Sequence, residues 1–125
     1  MTYLLDVSTL LALLWENHVN HSRVKAWESK EQIALCPITE LGFLRISTQA
    51  FNATMEDARR SLSTWLARRK PEFIPCDERA LAGRPAPTGG RTTDFYLAHL
   101  ADAHGMKLVT LDEDITHPSA FLVPA

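Results

Sequence analysis

At 125 residues, 46% hydrophobic and 22% charged, the chain has the size and composition of one domain (1–125) with its own core, which excludes a disordered protein. A formal net charge of −2 excludes binding to nucleic acid through positive charge overall, though not through a local basic surface or a metal held by acids. No apolar run is long enough to span a bilayer and no basic leader opens the chain, so no membrane and a cytoplasmic location are expected.

Tyr3-Leu4-Leu5 is a short apolar run ending at Asp6 and predicts a buried strand. Ser8 is placed to cap a helix through Leu10–Trp15, which is apolar nearly all round and therefore central. Asn17-His18 breaks it, and an amphipathic helix follows around Ser22–Lys30, with Val24 and Trp27 inward. Ile33–Cys36 predicts the next strand, and Pro37 starts a helix that runs to about Thr48. Thr54–Lys70 suits a further helix with Ala58, Leu62, Trp65 and Leu66 on its apolar side, ended by Pro71. Phe73-Ile74-Pro75 predicts a short strand and Glu78–Ala82 a helical turn. Arg84–Gly90, dense in Pro and Gly, is a loop. Thr92-Thr93-Asp94 opens a helix to His104, stopped by Gly105. Lys107–Leu111 predicts a strand and Phe121–Val123 an edge strand. Strands alternating with helices imply an α/β domain whose parallel sheet is covered on both faces.

In such a sheet, ligands bind beyond the carboxyl ends of the strands, where strand order reverses. Asp6 and Asp112 end strands, Glu40 lies one turn past a third, and Asp94 sits in the first turn of its helix, so all four belong to one sheet edge. Asp94, Leu97, Ala98 and Ala101 follow the i, i+3, i+4, i+7 pattern, which puts the carboxylate at the top of the core-facing stripe. Glu40, Phe43, Leu44 and Ser47 repeat it. Desolvated carboxylates are costly unless paired, protonated or bound to a cation, and helix N-termini offset only a few tenths to ~1 kcal/mol each. With no obvious basic partner for each acid, a divalent cation is expected, and all-oxygen ligation favours Mg²⁺ or Mn²⁺. Asp114, in the run Asp112-Glu113-Asp114, competes with Asp112 for the fourth position.

Four segments carry a resemblance: Leu4–Leu14, Ile38–Arg45, Thr93–Ala98 and Leu108–Asp112. In this order the chain resembles the PIN-domain ribonucleases, specifically the VapC-type toxins of type II toxin–antitoxin systems, from about Thr2 to Ile115. The resemblance implies a three-layer α/β/α sandwich around a mainly parallel sheet and Mg²⁺- or Mn²⁺-dependent cleavage of RNA. It implies Asp6, Glu40 and Asp94 as the main catalytic and metal-site acids, with Asp112 completing the set. Ser8 and Thr93 match hydroxyl positions that orient the acids or the attacking water. A cognate antitoxin that covers the acidic groove and a homodimer are implied partners. The segment Asp112-Glu113-Asp114 departs from the family, which often has a basic residue and glycine after the acid. In-line attack of water on a phosphodiester is the chemistry expected, with the cation orienting the water and lowering its pKa.

Arg59, Arg60, Arg68, Arg69 and Lys70 form a basic stretch that is read either as a solvated face or as an RNA-binding face, and Arg91 is the better phosphate candidate because it adjoins Asp94. His18 and His21 read as ordinary surface, and His99, His104 and His117 have no ligand spacing. Trp15, Trp27 and Trp65 are expected to pack in the core. Cys36 and Cys76 belong to no CxxC pair and no zinc spacing, and both are expected to be reduced and buried. A receiver domain is disfavoured because the first strand ends on a single acid, and a haloacid-dehalogenase phosphatase because Ser8 stands where a second Asp is needed. The remaining alternative is a catalytically inactive PIN-like module that only binds RNA or protein.

Overall fold

In the computed structural model, which describes residues 1–125, five strands form one sheet with every ladder parallel. The strands are β1 (Thr2–Leu5), β2 (Gln32–Leu35), β3 (Glu72–Phe73), β4 (Lys107–Thr110) and β5 (Ala120–Leu122), in the order β3-β2-β1-β4-β5. The helices are α1 (Val7–Leu14), α2 (His21–Glu28), α3 (Pro37–Ala50), α4 (Met55–Arg69) and α5 (Thr92–Ala103). β1 is central and buried on both faces, which is why Leu4 and Leu5 are both apolar. Leu5 joins one core with Leu10, Phe43, Leu62 and Trp65, from α1, α3 and α4. Leu4 joins a second core with Leu97, Leu100 and Ala101 of α5. Two cores on opposite faces of one sheet make the three-layer α/β/α sandwich. Strand order runs outward from β1 in both directions, so the reversal lies between β1 and β4.

Most elements fall where periodicity puts them, including α1, whose Thr9–Leu13 are all buried. Two expectations change. Ser8 does not cap α1. Asp6 does, because it keeps extended backbone while its carboxylate takes the Thr9 N–H, and Ser8 lies inside the first turn. Glu78–Ala82, read as a helical turn, holds one isolated turn outside any helix, closed by Ala82 N–H donating to Arg79 O, 3.1 Å. Cys36 is buried as expected, but Cys76 is exposed, because the chain leaves the sheet at Pro75. Arg84–Gly90 is irregular as read, passing into one 3₁₀ turn at Gly89–Arg91 that leads into α5. No helix is long and apolar enough to cross a membrane.

Candidate active site

Asp6 directly follows the central strand, and its backbone N–H still donates to Val109 O of β4 at 3.2 Å. Its Oδ1 accepts the Thr9 N–H at 2.8 Å and the Ser8 hydroxyl at 2.9 Å, and the nearby Thr110 hydroxyl favours the charged form. Thr9 is itself anchored, its hydroxyl donating to Val109 O at 3.2 Å. Asp6 is 2% exposed and has no cationic partner. Burial raises its pKa, against the pull of those hydrogen bonds toward the charged form.

Asp112 stands two residues past β4. Its N–H donates to Thr110 Oγ1 at 3.0 Å, and its Oδ1 accepts the Asp114 N–H at 2.9 Å. Thr110 therefore holds the backbone of Asp112 while its hydroxyl neighbours the Asp6 carboxylate. The Asp114 N–H and the Arg91 guanidinium, which pairs with Asp112, hold the Asp112 carboxyl below its ordinary value. Arg91 also reaches Asp114 at 3.4 Å. The expectation that the acids lack basic partners is thus corrected for these two, because the 3₁₀ turn before α5 swings Arg91 over the loop after β4.

Asp94, half-buried in the first turn of α5, is pushed from 3.8 to about 6 by burial, then by the charges of Asp6 and Asp112, with Arg91 opposing. These three acids share one electrostatic environment at the reversal of strand order. Glu40 does not share it. It sits in the first turn of α3, burial is the only cause that raises its pKa, and it lines the α3–α4 groove with Pro37, Leu41, Leu44, Arg59 and Arg60. Thr93 is exposed at the start of α5, and Asp114 is exposed too.

The basic stretch divides by helix phase. Arg69 turns inward, where it pairs with the buried Glu28 and donates to the carbonyls of Glu28 and Glu31. It is therefore removed from the RNA-facing candidates. Arg60 pairs with Glu56 at 2.6 Å and Asp57 at 3.2 Å, while Arg59 and Arg68 form no ion pair within the chain. His99 and His104 pair with Glu78 and Asp77, at 2.7 and 2.9 Å. Thr9 and Thr110 escaped the sequence reading. The available signal was a polar residue closing the otherwise apolar run Leu108-Val109-Thr110.

No three His, Cys, Asp or Glu side chains form a ready-made ligand set. The donor chemistry nevertheless suits a small hard cation: Asp6, a buried carboxylate without a counter-ion, adds to the burial that raises the pKa of Asp94 to about 6. Asp6, Asp94 and Asp112 are the residues that could hold it.

Comparison with known proteins identifies the family. The PIN domain family model matches residues 3–120. The chain is 36% identical over 122 residues to Ribonuclease VapC38 of Mycobacterium tuberculosis, covering 90% of this chain and 86% of that one. It is 35% identical over 127 residues to Ribonuclease VapC44 of the same species, covering 92% and 89%. The crystal structure of VapBC2 from Rickettsia felis bound to a DNA fragment from their promoter shares the fold, with a TM-score of 0.66 at 18% identity, covering 98% and 97% of the two chains. The chain belongs to the PIN-domain family and is of the VapC type.

Proposed function

We propose that this chain is a divalent-metal-dependent ribonuclease, the toxin of a toxin–antitoxin pair, hydrolysing RNA phosphodiester bonds at the carboxylates Asp6, Asp94 and Asp112, with Glu40 completing the set. The observation that carries the reading is Asp94, whose pKa is raised to about 6 by burial and by its neighbours Asp6 and Asp112, at the edge of the sheet where ligands bind. A bound Mg²⁺ or Mn²⁺ supplies an activated water and neutralises charge on the phosphoryl group undergoing attack. The chain's own residues do the rest. Asp6 is held by the Thr9 N–H and the Ser8 hydroxyl, so its orientation is set before substrate arrives. Arg91 is free to exchange Asp112 or Asp114 for a phosphate oxygen, since the rest of its side chain makes no other ion pair. Arg59 borders the groove beside Glu40 and, with Arg68, offers charge to more distant phosphates.

The antitoxin partner is supported by the relatives named VapC and by the VapBC2 structure that shares the fold. Its proposed seat is the α3–α4 groove, which combines the exposed Leu41 with Glu40 and Arg59. A homodimer is proposed from the resemblance alone.

Purified protein incubated with total RNA and Mg²⁺ or Mn²⁺ tests the reading. Cleavage is expected with metal, none with chelator, and at least a hundred-fold loss in Asp6→Asn and Asp94→Asn with the fold retained. Wild-type rates in either variant would overturn the assignment. RNA binding without cleavage under all metal conditions would instead make the chain an inactive PIN-like module.

A further inference from the structure

Cys36 and Cys76, distant in sequence, emerge at the same end of two neighbouring parallel strands. The register Leu35↔Phe73 continues as Ile74 N–H donating to Leu35 O at 2.9 Å, so the chain beyond β2 and the chain beyond β3 leave the sheet side by side. Cys36 is fully buried, with its sulfur 3.6 Å from Thr39 Oγ1, whereas Cys76 is exposed. Continuing that register, Cys76 stands two positions past the level of Cys36 on the neighbouring chain, so the two thiols share one end of the sheet. Cys36 is the N-cap residue of α3 and makes no side-chain cap bond.

We infer that Cys36 and Cys76 are a redox-modification site, a dithiol that a low-molecular-weight disulfide closes into an intramolecular disulfide. Accessibility sets the order of events. The exposed Cys76, as thiolate, attacks the external disulfide, forming a mixed disulfide and expelling one thiolate. Cys36 gives up its proton to solvent, attacks the Cys76 sulfur and expels the second thiol. Two protein thiols are oxidised and one external disulfide is reduced to two thiols. Burial and the adjoining Cys36 raise the Cys76 pKa, so the first step accelerates as pH rises. The bond would join the start of the β3–α5 connection to the turn in which Glu40 N–H donates to Cys36 O at 3.2 Å. The site is independent of the nuclease reading.

The test is incubation of the full chain with excess oxidised glutathione, followed by intact mass, thiol titration and non-reducing peptide mapping. The wild type is expected to lose both thiols together and the mass of two hydrogens, with a Cys36–Cys76 cross-linked peptide that reductant reverses. Cys36→Ser, or Cys36→Ala where the serine variant folds poorly, is expected to stop at a glutathione adduct on Cys76. Cys76→Ser is expected to stay unmodified, because Cys36 is out of reach. A wild type that stops at the same adduct, links two chains through Cys76 or keeps both thiols free would overturn the inference.

Discussion

The Arg91 guanidinium is paired with the Asp112 carboxylate, and the same side chain spans to Asp114 while lowering the pKa of Asp94. One cation thus tempers three acids. In Arg91→Gln the Asp112 carboxyl should return upward toward its ordinary value and Asp94 should rise above about 6, both readable by side-chain carboxyl NMR titration. If Arg91 also takes a phosphate, the slope of log K for RNA against log salt falls by about one. An unchanged slope with unchanged affinity would assign Arg91 to the acids alone.

The metal-free protein should lose stability as pH rises through the Asp94 titration. Its folded pKa, about 6, lies above the ordinary 3.8, so the folded state binds the extra proton between these values. Stability from this group is complete at low pH, declines across that window and is lowest above it. A shift of this size corresponds to at most about 3 kcal/mol, reduced to roughly 1 kcal/mol for a half-solvated carboxyl. Asp94→Asn should therefore raise the thermal midpoint of metal-free protein at neutral pH, and added Mn²⁺ should raise that of the wild type but not the variant. A midpoint in Asp94→Asn that still falls between pH 4 and about 6 as in the wild type would contradict the assignment.

Arg69 and Arg59, ten positions apart on one helix, should behave oppositely. Arg69→Ala strands the carboxylate of Glu28, which is 2% exposed, and should cost about 3–5 kcal/mol in chemical denaturation. Arg59→Ala should leave the denaturation midpoint within ~0.5 kcal/mol of wild type and weaken RNA binding.

Gly42→Ala tests the contact between α1 and α3. A methyl there meets Val7 Cγ2 at 2.4 Å, too close to be absorbed without movement. The expected cost is about 1–3 kcal/mol, and the double variant Val7→Ala/Gly42→Ala should recover part of it. A single variant as stable as wild type would show that the helices separate freely.

The sheet and its covering helices are legible in the sequence because both periods are cleanly written: continuous apolar runs at Leu4-Leu5 and Leu108-Val109, helical spacing at Leu97, Ala98 and Ala101. Asp94 is legible for the same reason, as the polar end of an apolar stripe. The inward turn of Arg69 was legible too, since Ala58, Leu62, Trp65 and Arg69 keep one helical phase, but the basic stretch was read as a block of charge rather than by face. The Arg91–Asp112 ion pair, and the placing of Thr110 near Asp6 and of Cys76 at the strand end beside Cys36, bring distant segments together. They depend on how a loop or strand end is carried in space, which no local pattern encodes.

The bonds from Asp6 N–H and the Thr9 hydroxyl to Val109 have a consequence for synthesis. The start of the chain cannot complete its pocket until β4, with Val109 lying 100 positions after Thr9, is laid beside β1. A nascent polypeptide still lacking that strand leaves Asp6 without Thr110 and without Asp112. The acidic site is thereby withheld from any polypeptide that has not yet reached β4.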